Sequence, residues 1–216
     1  MSKLKQIVEQ LDENNLLDAA VAGCVTTIFH SISQTAEFTQ KTLMSFDPSS
    51  HVKPSDVKKW TDHNGLEVTS FSLPKTKCSD EPEDAYWSRQ SGAADPEKIF
   101  DNHIIVNNPP PNGPLFAYKH GNRHKALTCK VFLDRLNDIA VMLGLESLKG
   151  HRLRIGGTLE YLLRGVPFDV VKSLGRWSSG AFVIYLCQHA VIMAPYLQSS
   201  PVLETFTRYT MPPVWN

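Results

Sequence analysis

The sequence predicts an α+β fold, mainly α-helical, with a small antiparallel β-sheet. Three observations predict it. Several segments repeat apolar residues at helical spacing and are closed by glycine or proline. Residues 53–73 alternate instead and are broken by Asn64-Gly65, a strong hairpin signal. The length, 216 residues, and the 42% hydrophobic content suit one sizeable domain with at most a helical appendage.

Leu4, Ile7, Val8, Leu11 and Leu16 predict a short amphipathic helix over 4–17. A longer helix follows from Asp18 to Thr35 on Ala19, Ala20, Val21, Val25, Ile28 and Phe29, its first turn small enough for burial between other helices. Residues 57–60 and 66–73 read as the two strands of the hairpin. Residues 79–95, acidic and then small and polar, read as a surface loop docked by Tyr86 and Trp87. Asp95-Pro96-Glu97 opens a helix to Val106, with proline at the first position and acids at the positive end. Residues 107–114 (NNPPPNGP) form a connector too short to separate domains. A brief buried segment at 115–118 leads into a mildly basic turn at 120–125. Thr128 caps a helix through Val131, Phe132, Leu136, Ile139 and Leu143 that ends at Gly144.

Three short helices are expected over 151–188. The first carries Leu153, Leu159, Tyr161, Leu162 and Leu163 and closes at Gly165. The second opens at Pro167, carries Val170, Val171 and Leu174, and stops at Gly175. The third is capped by Ser178 or Ser179 and holds Phe182, Val183, Tyr185 and Leu186. Beyond it lies an apolar stretch, 190–194, ended by Pro195, and a tail without a long helix.

Composition narrows the function. Lys plus Arg equals Asp plus Glu, 22 each, which argues against strong non-specific affinity for nucleic acid. Residues 151–216 nevertheless hold six basic residues against three acids. No apolar run is long enough to span a bilayer, and the polar N-terminus is no secretory signal. Four scattered cysteines read as reduced thiols of an intracellular protein. His120 and His124 have no further ligand at metal spacing, so no metal site is expected.

The polar residues of 151–188 carry the chemistry. His151 and Arg154, three apart on one helix, can hold a single anion between them. Trp177 offers an indole N–H at the end of the next helix, and Tyr185 a phenol eight residues later. Cations, a donor and a nucleophile gathered by helical turns suit phosphoryl transfer.

This pattern resembles the C-terminal motif of the tyrosine recombinases, the phage-integrase superfamily: His-x-x-Arg, then Gly-[His/Trp], then Tyr. Here it stands as His151-Arg152-Leu153-Arg154, as Gly175-Arg176-Trp177 with one residue inserted, and as Tyr185. The Gly-Arg-Trp-x-Ser form is closest in style to recombinases of eukaryotic, notably fungal, mobile elements. The resemblance covers 18–190 and implies a catalytic-domain-like helical bundle, with 1–17 as an N-terminal helical remnant and 191–216 as a C-terminal tail. It implies DNA strand cleavage and rejoining through a 3′-phosphotyrosyl link, with Tyr185 as nucleophile. Arg154 and His151 would stabilise the phosphate and Trp177 would hydrogen-bond it, with no metal or nucleotide cofactor. A lysine on the small sheet serves the family as general acid. Lys77 stands in its place, with Lys75 second; read by itself, either is an ordinary solvated turn residue.

The implied partner is double-stranded DNA, held weakly by a neutral chain, with a homo-oligomer on that DNA and no membrane. The implied location is the nucleus of a eukaryote or otherwise the cytoplasm. The resemblance fails at one position. The family's first catalytic arginine, in an Arg-x-x-Glu segment, corresponds to Gln34, with Glu37 keeping the acidic partner; no arginine precedes Arg89. Loss of such an arginine costs ~10³–10⁵ in rate. The chain therefore reads either as an impaired recombinase or as an inactive recombinase-derived module that binds DNA or protein. An unrelated helical protein with a chance motif would require the small sheet to lie far from residues 151–185.

Overall fold

In a computed structural model, the structure describes residues 2–76, 79, 81–177 and 189–194. Its axis is α2 (Leu16–His30), which Asn15 caps by accepting from the N–H groups of Leu17 and Asp18. Every residue of α2 from Asp18 to His30 is buried. Helix α4 (Pro96–Asn107) lies along it, its proline and its cap Asp95 placed as expected. Close approach is possible because α2 is small on that side: a side chain at Gly23 would press on Phe116 and His103.

On its other side α2 meets α6 (Gly150–Leu163). Gly156 and Gly157 permit that contact, since a Cβ at Gly157 would strike the Phe29 carbonyl. Tyr161 of α6 then donates its hydroxyl to the carbonyl of His30, in the last turn of α2, at 2.8 Å. Helix α5 (Cys129–Met142), capped by Thr128, is clamped to α2 by Arg135, whose Nε and Nη2 donate to the two oxygens of Asp18 at 2.7 and 2.8 Å.

Strands β1 (Val57–Thr61), β2 (Glu67–Leu73) and β3 (Glu83–Trp87) form an antiparallel sheet in that order, with Gly65 at φ +79° in the first turn. Phe71 at its centre packs among Phe38, Trp87 and Phe100, and Phe116 extends this aromatic cluster. Such fully buried side chains stabilise by ~1.5–3 kcal/mol each. A second, smaller cluster of Ile32, Leu162, Val171 and Ile192 lies where α6 meets α7 (Phe168–Leu174) and α8 (His189–Met193).

Four expectations are corrected. The first helix, α1 (Ser2–Val8), is shorter than 4–17; the Asp12 N–H turns to the Asp18 carboxylate and Asn14 N–H to Asp12, and these bonds replace helical ones. Helix α2 ends at His30, not Thr35. Ser31 bonds back to the Thr27 carbonyl, and Ile32 adopts φ +51° so that its side chain reaches the second cluster. Gln34 thus N-caps a separate short helix, α3 (Thr35–Phe38). Residues 79–95 are not all loop, because Ala85 and Trp87 alternate inward with Asp84 and Tyr86 outward and pair as β3. The basic turn at 120–125 belongs to a hairpin of β4 (Tyr118–His120) and β5 (Arg123–Lys125), with Gly121 at φ +58°.

The buried polar groups of Asn107 and His103 are matched. The Asn107 amide donates to Leu16 O at 2.8 Å, and its carbonyl accepts from the Lys119 N–H at 3.0 Å. It also pairs with His103, whose other ring nitrogen faces Leu115 O at 3.0 Å. Burial lowers the pKa of both His103 and His30 to about 4, so both rings are neutral at ordinary pH.

Candidate active site

The second helix of the motif is α7, and its end builds the site. Gly175 takes an ordinary helical conformation, whereas Arg176 adopts the left-handed one at φ +55°. Sequence reading placed the helix stop on the glycine; the structure moves the reversal to the arginine. Gly175 is needed for space. The Trp177 ring lies so close that a Cβ at 175 would overlap it.

Arg154 completes this arrangement from α6. Its guanidinium stacks over the Trp177 ring, 4.4 Å from the centroid, and Nη2 donates to the Gly175 carbonyl. Arg154 is 8% exposed. His151, one turn earlier on α6, is exposed. The structure therefore brings Arg154 and Trp177 into contact, with His151 on the same helix at the surface. Lys77 and Tyr185 lie outside the described residues, as do the third expected helix and the tail beyond Ala194.

The small sheet lies at this site. Glu83, Asp84 and Tyr86 of β3 share a cleft with Asp169, Lys172, Ser173, Arg176 and Trp177. The chance-motif reading required the opposite arrangement, and this cleft removes it. Thr76 donates its hydroxyl to Glu83 at 2.7 Å and accepts the Ser79 N–H at 3.1 Å, fixing the turn between β2 and β3 beside that cleft.

The motif also conceals a residue that sequence reading did not assign. Arg176 reaches α3, where Nη2 donates to Glu37 Oε2 at 2.6 Å and to Ser33 Oγ at 3.3 Å. The same carboxylate oxygen accepts the backbone N–H of Gln34 at 2.9 Å. The available signal was twofold: an extra residue inside the Gly-Trp pair, and an acid at Glu37 lacking the arginine three positions before it.

The basic hairpin contributes less than its charge suggests. Lys119 donates to Val106 O at 3.0 Å, and His124 faces Asn107 O at 2.7 Å. Both groups close the end of α4, which leaves His120 and Arg123 as its exposed cationic candidates. Among the described residues, no three His, Cys, Asp or Glu side chains gather in a way that could hold a metal ion, and no helix is long and apolar enough to cross a membrane.

No sequence-family model matches the chain, and neither does any curated protein sequence. Solved structures do match. The XerH site-specific recombinase bound to its difH substrate superimposes with a TM-score of 0.60 at 18% identity, over 91% of this chain and 51% of that one. An Flpe–Holliday junction complex gives 0.56 at 12% identity, over 91% and 46%. An FLP recombinase–Holliday junction complex gives 0.55 at 13%, over 85% and 44%. The fold is that of a tyrosine-recombinase catalytic domain. The chain spans about half the length of the recombinases it matches. In this fold α6 carries His151 and Arg154, Trp177 follows the end of α7, and the small sheet borders the cleft that Trp177 lines.

Proposed function

We propose that this chain is a recombinase-type domain that cleaves and rejoins DNA strands through a 3′-phosphotyrosyl intermediate. The observation that carries the proposal is the packed unit of Arg154, Gly175 and Trp177 at the end of α7, set beside the sheet in a recombinase fold. Tyr185 attacks the phosphorus of a phosphodiester, forming the Oη–P bond as the P–O5′ bond breaks. The leaving O5′ takes a proton from Lys77, while the phenolic proton leaves to His151 or to solvent. Arg154, with His151, offsets the charge gathering on the non-bridging oxygens, and Trp177 donates its indole N–H to one of them. Duplex DNA is the substrate class and a homo-oligomer on that DNA the working form; the recombinases that share the fold are bound to a Holliday junction or to a difH substrate.

Gln34 removes a guanidinium from this set, so cleavage is slow. Incubation with nicked duplexes that trap the cleaved strand tests this. The natural protein should accumulate covalent adduct slowly, Tyr185→Phe should form none, and Gln34→Arg should accelerate it ~10-fold or more. Rapid adduct formation by the natural protein, or no gain from Gln34→Arg, contradicts the impairment.

One observation favours a second reading, a non-catalytic DNA-binding module. Arg154 already donates to the Gly175 carbonyl from a buried position, so part of its fork serves the fold. On that reading no variant forms adduct, yet the protein binds duplex DNA with an affinity that falls steeply as salt rises.

A further inference from the structure

Arg176 is a cation with a buried side chain and, among the described residues, a donor left over. Arg176 shows 8% of its side chain to solvent, and its Nη2 is committed to Glu37 and Ser33. Nη1 lies 3.5 Å from Leu174 O. Nε has no hydrogen-bond partner among the described residues; the nearest acid oxygen, on Glu83, is at 3.9 Å. A buried N–H without an acceptor costs ~1–3 kcal/mol, and the left-handed backbone at Arg176 adds strain. Both costs are met at the one residue inserted between Gly175 and Trp177.

We propose that Arg176 stands in, in part, for the guanidinium missing at position 34 and offers its Nε–H to a phosphate oxygen in the cleft it shares with Lys172 and Trp177. This rests on the phosphodiester reading above. Two features support the substitution. Arg176 and the Gln34 N–H meet on the same oxygen of Glu37, so the guanidinium sits beside the place where the first arginine would arise. Glu37 orients one edge of the fork, leaving the Nε edge for a ligand. Glu83, Asp84 and Asp169 also border the cleft. Anions at long range are therefore repelled, and only one that reaches Arg176 and Lys172 directly is retained.

The test has two arms. Tungstate, a tetrahedral dianion, is titrated calorimetrically into the natural protein, Arg176→Lys and Arg176→Gln, with folding checked by circular dichroism. Lysine retains the charge facing Glu37 but lacks the planar fork. A purely structural role therefore predicts natural affinity for Arg176→Lys, whereas the proposal predicts a drop of ~10-fold or more. If Arg176→Gln fails to fold, the double variant with Glu37→Gln removes both charges together. In the second arm Arg176→Gln should slow adduct formation ~10²-fold, and adding Gln34→Arg should restore most of the loss.

Unchanged tungstate affinity in Arg176→Lys, or no tungstate binding by the natural protein, overturns the proposal. Tungstate binding that depends on Arg176 with no adduct from any variant leaves the proposal standing and defeats the cleavage reading.

Discussion

Two ion pairs in this molecule, each on a buried carboxylate, look alike and are built differently. Asp18–Arg135 joins α2 to α5 through two parallel bonds of 2.7 and 2.8 Å, and Asp18 also accepts the Asp12 N–H. Both oxygens of Asp18 are bonded, and so is the Nε edge of Arg135. Glu37–Arg176 joins α3 to the end of α7 through one bond of 2.6 Å, on a residue with left-handed backbone whose Nε has no hydrogen-bond partner among the described residues and only a 3.9 Å approach to Glu83. The first geometry maximises stability. The second gives some of it up to keep a donor beside Trp177, as expected where a site rather than a clamp is being held.

The largest effect should come from the site itself. Arg154→Gln should lower the rate of covalent DNA adduct formation ~10³-fold or more, measured by single-turnover trapping. Next, Asp18→Asn should destabilise the fold by ~3 kcal/mol, because Arg135 loses its charged acceptor. Chemical denaturation measures this, and the adduct rate per folded molecule should stay unchanged.

Acid should produce a comparable loss. His30 and His103 are held near a pKa of about 4 by burial, against about 6.5 when unfolded. The unfolded chain binds more protons below pH 6.5, so stability is complete above that value and declines as pH falls toward 4. The expected decline is roughly 3 kcal/mol per histidine, and His103→Gln should flatten the profile. The smallest effect should be Glu37→Gln, about 1–2 kcal/mol, since Arg176 keeps Ser33 and the nearby Glu83. Tungstate, bound at Arg176, should raise the melting temperature of Asp18→Asn as it does that of the natural protein, since that variant leaves the cleft intact. The reverse order of stability loss would erase the distinction between the two pairs.

Much of this was legible in the sequence because the signals are local. Asp95-Pro96 and Thr128 cap their helices as the residue types dictate, and Asn64-Gly65 turns the hairpin. His-x-x-Arg and Gly-Arg-Trp could be read as a set because their spacing sets helical phase. What escaped was non-local or masked by composition. Strand β3 hides Ala85 and Trp87 inside an acidic run, and only pairing with β2 reveals them. The end of α2 is decided by Ile32, drawn out of the helix into a cluster formed by α6, α7 and α8. Asn107 read as part of a breaker, yet it ties together α2, α4 and β4. Arg176 resembled a spacer because its partner Glu37 lies 139 residues earlier.

The most direct test of the site's chemistry is to locate the covalent link itself. Trapped adduct is digested with trypsin and nuclease, and the nucleotide-bearing peptide is sequenced by mass spectrometry. The chain has no Lys or Arg between Trp177 and Thr207, so residues 177–208 form one tryptic peptide. That peptide should carry the phosphate on Tyr185. A link to another residue, including Tyr196 in the same peptide, or a natural and Gln34→Arg protein that both remain free of nucleotide, contradicts it.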